Sequence, residues 1–196
     1  MSDLETAINV LARGDRVILR DRLPSDLDSF IRWHFHGEHL KLDAPWGCAH
    51  AGGTEEQIEK IKEDFLERLK KELPIPRGSA IIATKDYIPI GTLNRYYQND
   101  IKDAPFIGIS IKEDKYLNQG LGTEAFKLWL DYQFSNSNVH RIGTETWSFN
   151  PRAIRMVEKV GFKLEGVQRE IQEWEGKRLN KMLYGMLRRE WQQGKL

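Results

Sequence analysis

The chain has 196 residues, 40% of them hydrophobic and 30% charged, enough for one globular domain with a substantial core. Thirty basic residues against 29 acidic ones leave a formal charge of +1, so no global field draws the protein to nucleic acid or to an anionic membrane, and any anion site must be local. A single cysteine, Cys48, excludes an intrachain disulfide and fits a reducing compartment.

The N-terminus, Met1–Glu5, has neither a basic start nor an apolar core, and no later stretch approaches the ~20 apolar residues that span a bilayer, so a soluble cytoplasmic protein is expected. Residues 1–14 read as a polar or helical lead-in, and Arg16-Val17-Ile18-Leu19-Arg20 as the strand that opens the sheet. Pro24-Ser25-Asp26 starts a first helix over about 25–35, with Leu27, Phe30, Ile31 and His34 at helical spacing. His34, His36 and His39 fall close together, but no carboxylate or cysteine stands at ligand spacing, and no metal site is expected. Asp43-Ala44-Pro45-Trp46-Gly47 ends this region in an aromatic loop, a candidate wall on the substrate side. Thr54 and Gln57 form a capping box before a second helix over about 55–73, whose apolar stripe is Ile58, Ile61, Phe65, Leu69 and Leu73; Pro74 and Pro76 stop it.

Ala80–Ala83, Ile88–Leu93 and Phe106–Ile111 then read as three consecutive strands, an antiparallel meander. A helix begins near Leu121, with Ala125, Leu128, Trp129 and Tyr132 on its apolar face, and Val139–Trp147 returns as a strand. A strand–helix–strand crossover of this length implies a parallel pair. Asn150 caps the next helix, Pro151 fits its first position and Gly161 its exit. Phe162–Glu165 resumes extended structure, and Val167–Trp174 and Arg178–Leu187 flank Glu175-Gly176 as a long hairpin.

The stretch from Tyr116 to Ala125 joins a strand to a helix through Gly120-Leu121-Gly122-Thr123. Glycines here permit close ligand approach, and free N–H groups at a helix N-terminus favour phosphate oxygens. The P-loop pattern is absent, and the full dinucleotide fingerprint is broken by alanine at 125.

Four stretches together resemble the Gcn5-related N-acetyltransferase (GNAT) superfamily, in particular the branch of ribosomal-protein N-terminal alanine and serine acetyltransferases. They are Arg16–Arg20 with Asp26; Tyr116 to Ala125; Asn150 with Glu158–Phe162 and Leu164–Gly166; and Trp174–Gly176 with Tyr184, Leu187, Glu190 and Trp191. The resemblance covers roughly 15–191 and implies one acetyltransferase-like domain over 1–196. The fold class it implies is α/β (α+β): a mixed, mostly antiparallel sheet with a splayed parallel strand pair and flanking helices.

It also implies acetyl-CoA as cosubstrate, without a metal, and as acceptor an amine on a small molecule or a protein N-terminus. By the family's pattern the main chain of Gln119, Gly120, Leu121, Gly122 and Thr123 holds the pyrophosphate. Ile109, Ser110 and Ile111 line the pantetheine arm, with Asn150 beside it, and Arg152 and Arg155 approach the adenosine phosphates. Glu145 is the candidate base; Ser110 and Tyr184 are weaker candidates for catalysis. A cysteine acyl-enzyme is not expected, since Cys48 has no His-Asp arrangement beside it, although His50 is near.

The sequence departs from the family in two respects. Leu117 stands where many relatives carry Arg or Gln, and Val157 and Ala153 replace the tyrosine or serine that relatives use as proton donor. The second departure motivates a rival reading, a noncatalytic CoA-binding regulatory or interaction protein. The terminal hairpin with Trp174 and Trp191 suggests a homodimer.

Overall fold

The computed structural model describes residues 8–47, 53–99 and 101–194, so Cys48 and His50 lie outside the described residues. Eight strands form one sheet: β1 (Val10–Arg13), β2 (Val17–Arg20), β3 (Ser79–Thr84), β4 (Pro89–Tyr96), β5 (Phe106–Ile111), β6 (Arg141–Trp147), β7 (Lys163–Trp174) and β8 (Lys177–Leu187). Their order is β1-β2-β3-β4-β5-β6-β8-β7. Every neighbouring pair is antiparallel except β5 and β6. The helices are α1 (Leu27–Phe35), α2 (Glu55–Lys70), α3 (Leu121–Ser135), α4 (Pro151–Val160) and α5 (Arg188–Gln193).

Several boundaries correct the sequence reading. The lead-in contains a strand, β1, so Val17–Arg20 is the second strand of the sheet; β1 is only four residues long and half exposed, too short for alternation to betray it. The second helix ends at Lys70, ahead of Leu73, and the strand expected from Val139 starts at Arg141. The last residues add α5, a six-residue helix. Phe162–Glu165 and the hairpin arm are one strand, interrupted by irregular register at Gly166 and between Gln168 and Gln172. The capping box holds: Gln57 N donates to Thr54 Oγ1 at 3.3 Å and Thr54 N to Gln57 Oε1 at 2.9 Å.

Helix α3 organises the core. Leu121, Ala125, Phe126, Trp129, Leu130 and Phe134 are buried in one cluster with Val17, Leu19, Ala80, Ile82, Leu93, Ile107 and Ile142 of the sheet. Each large side chain removed from water contributes about 1.5–3 kcal/mol. Two buried polar groups on the same helix bond to main chain: Trp129 Nε1 donates to Asn94 O at 3.1 Å and Gln133 Nε2 to Arg77 O at 2.9 Å. Under the first helix sits a sealed ion pair. Arg20 Nη1 and Nη2 donate to the two Asp26 oxygens at 2.8 and 2.7 Å, and both side chains are 1% exposed. Asp26 also accepts from Leu23 N, and Arg20 Nη2 donates to Tyr87 O.

The β5–β6 pair carries the feature that matters for function. Its only backbone register is Phe106 against Gly143, with Gly143 N donating to Pro105 O at 2.9 Å. A Cβ on Gly143 would meet the Phe106 ring at 2.7 Å, so the close approach requires glycine there. Beyond that point the strands diverge, and the main-chain groups of Ile109 and Ile111, which face away from β4, have no ladder partner on this side.

Trp174 packs against Trp46 with ring centroids 6.0 Å apart, and Trp191 stacks on Phe134 at 5.0 Å. Both aromatics that suggested a dimer are thus engaged within the chain. Among the described residues no helix is long and apolar enough to cross a membrane.

Candidate active site

Two chambers meet at the divergence of β5 and β6. The first, about 410 Å³, lies between the α3 turn and α4 and is lined by Ile109, Ser110, Ile111, Gly120, Gly122, Thr123, Asn150, Arg152 and Arg155 among others. The second, about 430 Å³, lies over β4, β5, β6 and β8 and includes Tyr96, Glu145, Trp147 and Lys181. Leu42, Asp43, Ile109, Ser110, Asn150, Ala153 and Met156 line both, so the two form one through-going site.

The floor of the first chamber is the turn before α3. Gly120 caps the helix with φ +78, a left-handed conformation that glycine adopts without strain, and no side chain caps the helix end. The amides of Leu121, Gly122 and Thr123 therefore lack intrahelical partners and present donors at the positive end of the helix dipole. Arg16 braces the turn from outside: Nη1 donates to Gln119 O at 2.7 Å and Nε to Glu124 at 3.2 Å. Glu124 also accepts from the Arg16 and Val17 amides. Burial opposes its charge, but these hydrogen bonds prevail and hold its carboxyl below the ordinary range.

The residues expected to form the cradle are not all equally free. Leu121 is 7% exposed and points into the core, and Gln119 has its carbonyl occupied by Arg16, so each offers at most its amide. Arg152 is ion-paired with Glu38 at 2.8 Å. Arg155 is exposed and, among the described residues, makes no ion pair, which leaves its charge available at the chamber rim. Asn150 has both ends of its amide in use: Oδ1 accepts from Ala153 N at 3.1 Å, capping α4, and Nδ2 donates to Leu42 O at 3.1 Å. It ties the 41–47 loop to α4 at the junction of the chambers. Ser110 lines both chambers.

In the second chamber Glu145 accepts from Gln98 Nε2 at 2.7 Å and from Lys181 Nζ at 3.1 Å. Both oxygens thus hold a donor. Facing the same space is Tyr96, whose hydroxyl has no hydrogen-bond partner among the described residues. Burial first, then the charges of Glu145 and Asp43, push its phenol well above the ordinary range, so it stays protonated at neutral pH. Nothing in its motif context marked Tyr96 or Lys181; their relevance arises from strand pairing. Tyr184 is removed from the site: it is 1% exposed, and its hydroxyl donates to Glu158 at 3.2 Å. Val157 is buried in the core and Ala153 lines both chambers, so neither supplies a proton.

The three histidines do not converge. His34 Nδ1 lies 2.8 Å from Phe30 O, while His39 lies on the wall of the first chamber, 6% exposed, with Nε2 3.0 Å from Trp33 O. Among the described residues no group of side chains is arranged to hold a metal. Burial and then Lys112 lower the His39 pKa from 6.5 to about 4, against the opposing effects of Trp33 O and Asp114. A folded-state value below the unfolded one means that this stability is present in full above about pH 6.5 and is lost as pH falls toward about 4. Denaturant unfolding at pH 7 and pH 4.5 should differ by roughly 2–3 kcal/mol more in the parent than in His39→Gln. Equal pH dependence in the two proteins would show that His39 is not the group responsible.

Residues 16–163 match the acetyltransferase (GNAT) domain family. A probable N-acetyltransferase of Bacillus subtilis, YjcK, is 34% identical over 120 residues, covering 60% of this chain and 63% of that protein. The aminoglycoside N(6')-acetyltransferase type 1 of Klebsiella pneumoniae is 25% identical over 161 residues, 78% of this chain and 77% of that protein. Among solved structures, the spermidine N-acetyltransferase of Vibrio cholerae, in complex with CoA and spermine, superposes with a TM-score of 0.72 at 17% identity, covering 91% of this chain and 99% of that one.

Proposed function

Because the chain belongs to the acetyltransferase (GNAT) family, we propose that it is an N-acetyltransferase that moves the acetyl group of acetyl-CoA onto a primary amine of a polar small molecule. The observation that carries this reading is the pair of chambers joined at Ser110: one ends in a helix N-terminus suited to phosphate, the other holds carboxylates suited to an ammonium. The amine nitrogen forms a bond to the acetyl carbon, the carbon–sulfur bond breaks, and the proton lost by nitrogen balances the one gained by sulfur.

The residues divide this work. The Leu121–Thr123 amides and Arg155 hold phosphate. The free main-chain groups of Ile109 and Ile111 align the arm that carries the thioester and donate to its carbonyl oxygen. Alignment of two bound reactants supplies about 7–11 kcal/mol of a barrier, so proton transfer need contribute only the remainder. Glu145 receives the ammonium and its proton, and the protonated Tyr96 hydroxyl serves as a hydrogen-bond donor in the chamber, a role that Val157 cannot fill. A small-molecule acceptor is favoured over a protein N-terminus by a chamber of about 430 Å³ walled by the 41–47 loop, and by the named activity of the Klebsiella relative.

Thiol release from acetyl-CoA across aminoglycosides, polyamines and short peptides tests the assignment. Stimulation by peptides alone would overturn the small-molecule reading. Tight CoA binding with no release for any amine would support instead the noncatalytic reading that Val157 and Ala153 motivate. With an active acceptor in hand, Glu145→Gln and Tyr96→Phe should each lower kcat at neutral pH at least tenfold, within the usual range for acid–base groups, and leave acetyl-CoA affinity unchanged. The Glu145→Gln deficit should shrink at high pH, where the amine is already neutral. A deficit that is constant with pH removes Glu145 as base, and an unaltered kcat in Tyr96→Phe removes Tyr96 as donor.

A further inference from the structure

A third cavity, about 260 Å³, opens between the end of α2 and the β3–β4 strands, away from the α3 turn. Its floor is apolar, with Leu69, Leu73, Pro74 and Ile81, and its rim carries Arg22, Arg68, Lys71 and Arg77 against a single carboxylate, Asp21. The ion pairs explain only part of that charge. Arg77 is satisfied: it donates to both Asp21 oxygens and to the Leu73 and Pro74 carbonyls. Asp21 also accepts from Asn9, so it is fully engaged, and Lys71 pairs with Glu67 on its own helix.

Arg22 and Arg68 are left over. The Arg22 guanidinium lies over the Phe30 and Phe65 rings, 4.3 and 4.9 Å from their centroids, and among the described residues no oxygen accepts from it. The nearby carboxylate, Asp26, is sealed in its pair with Arg20. Burial and then repulsion from Arg68 lower the Arg22 pKa to about 10, with Asp26 acting the other way. Two guanidinium groups are thus brought together beside an apolar floor, one of them fixed in orientation by aromatic stacking, which is the arrangement that binds an oxyanion bidentately.

We propose that this pocket binds a small organic anion, a carboxylate or phosphate group on a short apolar body, held by Arg22 and Arg68 with its body on Leu69, Leu73 and Ile81. The inference does not depend on acetyl transfer. Thr92 lines both this pocket and the second chamber of the active site, so an anion bound here lies next to the acceptor.

The test is an amide chemical-shift titration of the labelled full chain with acetate and with butyrate, against sodium chloride at matched ionic strength. Amides of Gly78, Ser79, Ala80, Ile81 and Thr92 report this pocket, while those of Gln119–Thr123 report the phosphate cradle, which separates binding here from binding there. Butyrate should move the first group and bind several-fold more tightly than acetate, because only butyrate reaches the apolar floor. Arg68→Gln, an exposed change outside the core, should weaken butyrate at least fivefold at the first group and leave any shifts at the cradle as they were. Arg22→Gln should remove binding. Shifts confined to 119–123, an equal response to chloride, or parental butyrate affinity in both variants would overturn the site, and equal affinity for acetate and butyrate would overturn the apolar contact.

Discussion

Gly120→Glu is expected to abolish most of the stabilisation that CoA gives the protein while leaving the unliganded fold nearly intact. At φ +78 a side chain costs about 1–2 kcal/mol of backbone strain, a tolerable loss at an exposed turn. The position a Cβ would take is 3.2 Å from Arg16 Nη2, which must give way, and the added carboxylate brings negative charge to the turn, where it opposes phosphate. At ligand concentrations near 100 times the parental dissociation constant, binding stabilises the parent by about 2.7 kcal/mol, which for a chain of this size is roughly 5–11 °C in Tm. Melting both proteins with and without CoA reads the difference directly. A variant that keeps the parental increment would place the phosphates elsewhere and remove the α3 turn from the site.

Asp26→Asn acts on the fold and not on the cradle. With both partners 1% exposed, removal of the carboxylate leaves the buried Arg20 guanidinium without a counterion. Breaking one side of such a buried pair typically costs 3–5 kcal/mol, of which the desolvated, uncompensated charge is the main part. Against a usual total of about 5–15 kcal/mol that is a large fraction, and Tm should fall by roughly 6–20 °C. Replacing both residues, Arg20→Leu with Asp26→Leu, should recover part of the loss, since no charge is then stranded. A loss below about 1 kcal/mol in Asp26→Asn would mean that water or a shifted side chain reaches Arg20.

The contrast between these two regions also explains how far the sequence could be read. The α3 turn is a local object: Gly120, Gly122 and the apolar positions of the helix follow one another, and their physics is set within ten residues. Asn150, Pro151 and Gly161 bound α4 for the same reason. The second chamber is a product of long-range pairing. Glu145 meets Gln98 and Lys181 across gaps of 47 and 36 residues, and Tyr96 enters only because β4 lies beside β5. No spacing along the chain encodes such meetings. Asn150 shows an intermediate case: its capping role was legible, while its bond to Leu42 O appears only once the 41–47 loop is folded against α4. The short end elements, β1 and α5, have four and six residues, too few for periodicity to declare them.

The single bridge between Phe106 and Gly143 has a mechanical consequence. A sheet ordinarily transmits strain from edge to edge through its ladders, yet here strands β1–β5 and β6–β8 are two plates whose ladders meet at one backbone point, the other links being packing and side-chain contacts such as Gln98–Glu145. On the proposed reading, a linear cosubstrate laid into the wedge and bonded to the main chain of Ile109 and Ile111 would act as a rung between them and stiffen both plates. Amide exchange should slow on both plates together when CoA binds, and the acceptor chamber, walled by residues of both, should take its final shape only after the donor is in place.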